Sequence, residues 1–508
     1  MAGLAWVSCS AVPLIMSGCG LVLGVTPLPP DGGTIADSGP THDVGVSLEG
    51  GPATDANAAD GSATTDGCAT LEICNGIDDN CDGVVDGTGL GLCAFPGTTA
   101  ECIGGTCVIT SCLHPFSDCD GDPSNGCEAD LSSPASCGDC STACASPLEC
   151  VDGTCVERFV GVTAGARHTC GWTETGNVWC WGENLYGQIG DGTSSNQPEP
   201  VQVTGLSGVV QVEAGAAHTC AVQASGGAWC WGQGNNGQLG DGNMMVRRNP
   251  VRVGDAVNVM NISAGAFHSC LVNASGYVHC WGGNPNGQLG PGAAGSIVAS
   301  PMLVSGLGGA VEVTAAAQHT CARLATGTVQ CWGQGDVGQR GDGTFVLRVT
   351  NAPSVVGLGD AVQVHASSMH TCARTSPGGI ECWGNNGDQQ LGFGGMTLVP
   401  VPTAAPGLGP ASDISAGYLH TCAAIGGQAW CWGNNARAQL GRPIGVIGAP
   451  APVARLSEVA AVTAGEGHSC ALLATGAIWC WGLGTSGQLG NGDTITTATP
   501  VAVILPTP

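Results

Sequence analysis

From Phe159 onward, short bursts of alternating apolar and polar residues are separated by Gly, Asn and Asp, and the pattern returns with a period of roughly 50 residues. One unit, PVQVTGLSGVVQVEAGAAHTCAVQASGGAWCWGQGNNGQLGDG, holds four such bursts. Alternation with period two marks a half-buried strand, and the Gly, Asn and Asp clusters supply the turns between strands. A His returns at His168, His218, His268, His319, His370, His420 and His468, and Cys-Trp-Gly begins at Cys180, Cys230, Cys280, Cys331, Cys382, Cys431 and Cys480. Seven units in register, each with four strands, predict an all-β fold over residues 158–508, arranged as a propeller.

Upstream the alternation stops. Residues 20–67 are rich in Gly, Pro, Asp, Thr and Ala, and such a stretch buries too little surface to offset its chain entropy. A disordered acidic linker is expected there. Residues 68–157 carry 14 Cys with almost no hydrophobic periodicity, which reads as a small disulfide-rich domain without a conventional core. Its pairing is open at the level of sequence. The stretch CGDCSTAC, from Cys137 to Cys144, also has a spacing that suits zinc thiolates, the lesser reading for an exported chain.

Composition sharpens this picture. Of 508 residues 86 are Gly and only 4% are aromatic, so the core is built from small aliphatic strands and tight turns rather than bulky helices. The net charge of -27 is unevenly spread: residues 1–157 hold 22 acids and no basic side chain, whereas residues 158–508 hold 17 acids and all 12 Arg. A chain this acidic is a poor partner for nucleic acid or an anionic membrane and suits cations better. Thirty Cys at regular spacing point to an oxidising compartment. Residues 11–18, AVPLIMSG, lead into Cys19 and resemble the lipobox of a bacterial lipoprotein signal peptide. Residues 1–19 are therefore expected to be a signal peptide and Cys19 the lipidated residue. The expected location is extracytoplasmic, as a cell-envelope lipoprotein or a secreted protein that meets the membrane only through its lipid.

Within each unit two cysteines flank a hairpin. Residues opposite one another at a non-hydrogen-bonded site have Cα atoms about 4.5 Å apart, within disulfide reach. Seven staples inside the units are expected: Cys170–Cys180, Cys220–Cys230, Cys270–Cys280, Cys321–Cys331, Cys372–Cys382, Cys422–Cys431 and Cys470–Cys480. The sixth pair is one residue closer in sequence, and the deletion belongs in the turn. The repeated His could ring a channel as metal ligands, but ring hydrogen bonds between neighbouring units are the better expectation. The repeated Trp supplies flat packing surface between sheets.

The unit's markers, Ala214-Gly215, His218-Thr219-Cys220, Cys230-Trp231-Gly232 and Gly237-Gln238-Leu239-Gly240-Asp241-Gly242, resemble the repeat of the regulator of chromosome condensation family. The resemblance covers about 350 residues in seven consecutive matches and implies a seven-bladed β-propeller. The family includes guanine-nucleotide exchange factors, ubiquitin-ligase modules and a secreted bacterial inhibitor of β-lactamases. The fold alone selects none of these roles. Cysteines stand here at hairpin positions that are small or apolar in the nuclear members, which fits an exported branch.

Chemistry outside the repeat is concentrated in EICNGIDDNCDGVVDG, from Glu72 to Gly87. Asp78, Asn80, Asp82, Gly83 and Asp86 follow the spacing of a calcium loop, with Val84 offering a backbone carbonyl and Gly89 where a bidentate Glu would stand. The segment also resembles a Cys- and Asp-rich metal-binding motif of bacterial surface proteins, some of which bind copper. Asp118, Asp120 and Asp122 form a second, weaker cluster. Calcium is the expected cofactor, with no organic cofactor. No catalytic set stands out from the repeat, and the off-repeat His279 and His365 lie in strand-like contexts, so an enzyme is not expected. The loops NMMVRRNP and TFVLRVTNAP place Met245, Arg247 and Phe345 where other units carry small polar residues. They are expected to form part of a contact patch for an unidentified protein at the cell surface. The leading reading is an exported protein-interaction module. A calcium- or copper-binding protein with the propeller as scaffold is the first alternative, and an exchange-factor-like role is the second.

Overall fold

The computed structural model describes residues 73–86, 93, 98–120, 127–146, 148–293, 295–445 and 447–505. The signal segment with Cys19, the linker 20–67 and Asp122 lie outside the described residues. Two compact units are present, one holding the described residues up to Asp130 and one holding those from Leu131 onward. The Cys-rich segment is divided between them. Among the described residues every regular element is a β-strand.

In the first unit, strands Thr98–Ile103 and Thr106–Cys112 form a hairpin, and Cys74–Cys102, Cys93–Cys107 and Cys112–Cys127 are bonded. In the second unit a short hairpin, Glu149–Val151 with Thr154–Val156, is held by Cys137–Cys150 and Cys144–Cys155. The sulfurs of the CGDCSTAC stretch at Cys137 and Cys144 are thereby consumed, so the zinc-thiolate alternative fails there.

The rest of the second unit is a seven-bladed propeller. Each blade is one antiparallel four-stranded sheet, formed from consecutive strands of a single repeat. The first strands are Phe159–Ala164, Val209–Ala214, Val259–Ala264, Ala310–Ala315, Ala361–Ala366, Ala411–Ala416 and Val459–Ala464. Each touches the first strands of its two neighbours, and the seventh touches the first, so these strands line an axial channel and the ring closes.

All seven hairpin pairs are disulfide-bonded, in register, with Cα–Cα distances of 4.1 to 4.2 Å. In blade 6 the missing residue comes out of the turn. Gly426 and Gly427 take φ of 58° and 75° and close a two-residue hairpin between Ile425 and Gln428. Closing a loop of this length contributes roughly 2 to 3 kcal/mol on the chain-entropy account.

The core lies between blades rather than within them. Cys220 and Cys230 of blade 2 pack with Val222 and Leu239 against Ile262 and Trp281 of blade 3. The same layer recurs at each junction, ending with Cys470 and Cys480 under Trp181 of blade 1. All seven of these Trp are fully buried.

Polar atoms cross each junction in a fixed relay. The carbonyl of Gln188 in blade 1 accepts hydrogen bonds from Trp231 Nε1 and Thr219 Oγ1 of blade 2, both at 2.8 Å. Because the Thr219 hydroxyl spends its proton there, it accepts from His168 Nε2 of blade 1 at 2.8 Å. At the closing junction Gln488 serves Trp181 and Thr169, and His468 donates to Thr169 at 2.9 Å. The expected ties between blades are therefore the geometry observed, and the repeated His do not converge as a ring of metal ligands.

The relay makes acid sensitivity predictable. Burial holds His168, His218, His268, His319, His370 and His420 down at about 3 and His468 at about 4. A folded value below the ordinary 6.5 means that the unfolded chain takes up protons first, so stability is complete above 6.5 and is lost as pH falls toward the folded values. Each imidazole forfeits roughly 1 kcal/mol per pH unit over that window. Buried Glu213, Glu312 and Asp413, all raised, pull in the opposite direction but are outnumbered. Thermal melting monitored between neutral and acid pH should show a falling midpoint that begins near the ordinary histidine range. A midpoint unchanged on acidification would contradict the relay.

Candidate functional site

In an antiparallel four-stranded blade, the connection between strands one and two and the connection between strands three and four emerge on the same face. That face therefore carries every loop that follows a Cys-Trp-Gly strand. Met244 and Met245 of blade 2 are 56% and 60% exposed, and Phe345, Val346 and Leu347 of blade 4 are 49%, 52% and 58% exposed. Phe267, Met369 and Tyr418, from connections between strands one and two, are exposed on the same side.

Two kinds of loop occur here. In blades 1, 3, 5 and 6 an Asn opens the loop and its side-chain oxygen accepts the amide of the repeat Ile or Leu, as Asn184 does from Ile189 at 3.0 Å. In blades 2, 4 and 7 that Asn is replaced by Gly234, Gly335 and Gly484. A Cβ at Gly234 would collide with the Met245 carbonyl, and one at Gly335 with the Arg340 guanidinium. Glycine thus lets the loop fold inward and carries its apolar residues on the outside.

Arg340 is the residue beneath this face that the sequence reading missed. It stands where six other repeats have Ile or Leu, and it is fully buried. It pairs with Asp342 at 3.0 Å and donates to the Val346 carbonyl at 2.6 Å and to Thr344 Oγ1 at 3.0 Å. An arginine in a core slot thereby holds the loop that presents Phe345. The signal was visible as Gly-Gln-Arg-Gly in place of Gly-Gln-Leu-Gly.

Met245 and Phe345 lie at the surface as expected of contact residues. Arg247 has a different position: it is one-third exposed and bonded to Asp241 of its own loop at 2.8 Å. Its role is to brace that loop. At the rim of the axial channel, Glu466 of blade 7 accepts from Arg167 of blade 1 at 3.2 Å and from Arg437 of blade 6 at 2.7 Å. Of the off-repeat histidines, His365 lines the axial channel, whereas His279 sits in a third strand opposite Leu271 and Leu303.

In the other compact unit, Asp78 accepts the amides of Asp82 and Gly83 at 3.1 and 2.9 Å, and Asn80 accepts from Asp82 at 2.9 Å. Asp82 accepts the amide of Val84 at 2.8 Å, and Gly83 takes a φ of 90° that a side chain would resist. Asp86 accepts the amides of Asn75 and Gly76, drawing the loop closed on its own beginning. Asp118 and Asp120 meet Glu128, their oxygens within 4.8 Å of one another. Glu128 also accepts the amide of Cys119 at 2.6 Å. Sequence spacing had offered Asp122 as third member, and only folding brings Glu128 to the cluster.

Comparison with known proteins bears on the propeller. The model described as RCC1-like domain matches residues 133–394, just over half of the chain, and that of the regulator of chromosome condensation repeat matches residues 378–424, 426–472 and 475–507. Among curated proteins the chain is 34% identical over 154 residues to the human E3 ubiquitin-protein ligase HERC2, and 33% identical over 151 residues to the ultraviolet-B receptor UVR8 of Arabidopsis thaliana. Each alignment takes in 28% of this chain, but 3% of HERC2 and 34% of UVR8. The chain thus spans only a minor part of these relatives. Among solved structures, yeast RCC1 (Prp20) bound to Kap60 superposes with a TM-score of 0.59 at 20% identity, over 65% of this chain and 84% of its own. Human WBSCR16 does so with a TM-score of 0.59 at 22% identity, over 66% and 95%. These two likenesses concern the fold.

Proposed function

The chain belongs to the RCC1-like domain family, and from that premise we propose that it is an exported protein-interaction module docking through its loop face. The observation that carries the reading is the set of exposed apolar side chains on that face, Met244, Met245, Phe345, Val346 and Leu347, on loops braced from within by Arg247 and Arg340. Apolar residues held out on a rigid support are the composition of a contact core, not of an idle loop. Export is supported by the fourteen blade cysteines, all buried and paired, an arrangement that persists in an oxidising compartment. The solved yeast propeller described with its binding properties to Gsp1p and histones has protein partners of its own.

The test combines capture with stability. Cross-linking from native envelope extracts should recover one partner with the parent chain and lose it with Met245→Ser combined with Phe345→Ser. A control change at Thr326, in a turn on the opposite face, should leave capture intact. Loss with the control, or retention with the double variant, would contradict the docking face. Recovery of a nucleotide-binding GTPase would favour the exchange-factor reading.

Arg340 offers a second check. Arg340→Leu restores the repeat and should leave the melting midpoint nearly unchanged, because blades 1 and 2 hold Ile189 and Leu239 in the same slot beside Asp191 and Asp241, and Asp342 keeps its hydrogen bonds from Thr344. It should nevertheless weaken capture and speed hydrogen exchange across residues 342–347. Arg340→Ala should instead cost about 2 to 5 kcal/mol through the cavity it opens in that buried slot, measured by denaturant unfolding. Capture and exchange unaltered in Arg340→Leu would remove the bracing role.

A second reading is carried by the loop from Asp78 to Asp86. We propose that it takes calcium: Asp78, Asn80 and Asp82 already curl about Gly83, as such loops require. Calorimetric titration of the full chain with calcium should give saturable binding, weakened about tenfold or more in Asp78→Asn. No saturable heat, or equal heat in the variant, would contradict it.

A further inference from the structure

The axial channel holds two side chains that the repeat does not account for. At one level of the first strands, directly opposite the first cysteine of each blade, the wall residue turns inward. In five blades it is a hydroxyl, and Thr163, Ser263, Thr314, Ser415 and Thr463 each accept the amide of the alanine in the next blade at 2.8 to 3.2 Å. His365 does the same with a ring nitrogen: Ala416 N–H donates to its Nδ1 at 3.1 Å. That bond leaves the imidazole neutral with its proton on Nε2, a donor for which the described residues offer no partner. In blade 2 the position is Glu213. Its carboxylate accepts from Gln211 Nε2 at 3.2 Å through one oxygen, the other has no hydrogen-bond partner among the described residues, and the side chain lines the channel.

These two residues stand at a waist. A cavity of about 450 Å³ opens on one side and another of about 250 Å³ on the other, and Glu213 and His365 line both. The remaining carboxylates on the second side are engaged. Glu312 pairs with Arg323, and Asp413 accepts from Gln363 at 2.7 Å and from the Val462 amide at 2.9 Å. Among the described residues neither Glu213 nor Asp413 has a guanidinium partner, but both oxygens of Asp413 are hydrogen-bonded whereas Glu213 keeps one oxygen free, so the waist favours positive charge. Its unspent oxygen accepts, and the His365 Nε2–H donates.

We propose that this waist binds a small organic ammonium compound, its cationic nitrogen held by Glu213 and a hydrogen-bond-accepting atom held by His365. The site is separate from the docking face and does not depend on it. A built pocket with few, convergent polar groups of opposite hydrogen-bonding sense is how small polar ligands are oriented. Free L-lysine, which carries an ammonium and a carboxylate on one flexible chain, is a suitable probe.

The test uses the full chain, isothermal titration and mildly alkaline pH. Glu213→Thr and His365→Thr each place a sixth hydroxyl in the ring, so the blade concerned should close as its neighbours do and the melting midpoint should hold. Glu213→Gln, which keeps the size of the side chain, serves if either threonine variant melts early. The parent should bind L-lysine saturably at one site, with affinity about tenfold or more lower in Glu213→Thr or Glu213→Gln and also reduced in His365→Thr. Absence of saturable binding to the parent, or binding undiminished in the Glu213 variants, would overturn the proposal.

Discussion

One backbone carbonyl per blade, that of the Gln in the Gly-Gln-Leu-Gly turn, determines how the propeller is joined. It receives an indole N–H and a hydroxyl from the following blade, and the hydroxyl in turn receives an imidazole N–H from the carbonyl's own blade. Four polar groups buried in an apolar junction, the carbonyl, the indole N–H, the hydroxyl and the imidazole N–H, thereby satisfy one another, which removes the desolvation cost that each would carry alone. The arrangement has a direction, from blade n to blade n+1, and it closes because His468 finds Thr169.

The rest of the packing follows from that constraint. Once the indole is pinned, it packs with the disulfide cysteines of the preceding blade, so sulfur and indole fill the junction that bulky side chains would otherwise fill. This is how a chain with 4% aromatic residues assembles a ring of seven sheets. A rigid ring then frees two regions to vary without loss of the fold: the third-to-fourth strand loops on one face and the inward wall positions of the channel. The departures from the repeat on which the two propeller proposals rest, Arg340, Glu213 and His365, all fall in those regions or directly beneath them.

Much of the architecture was legible because it is written seven times. Cys, His and Trp at fixed offsets specify hairpin register, junction and blade count without any tertiary information. The blade 6 deletion also placed itself, since a hairpin with both cysteines kept can lose a residue only from its turn. What sequence could not show is where different blades meet. Glu213 and His365 read as isolated departures until the ring brings them to one waist, and Glu128 joins Asp118 and Asp120 only through the fold. Arg247 was legible as unusual but not as a brace, because its partner Asp241 is itself a repeat residue. Arg340 was overlooked because a basic residue in a turn reads as exposed, whereas the Ile or Leu slot it occupies is buried.

The direct examination of the junction relay is the protonation of its histidines. Long-range nitrogen–proton correlation spectra of the imidazoles at neutral pH should show the seven blade histidines as neutral rings with the proton on Nε2, persisting well below the ordinary range on acidification. Imidazolium signals near that range, or protons on Nδ1, would mean that the hydroxyls do not receive from the rings and that the blades are joined in some other way.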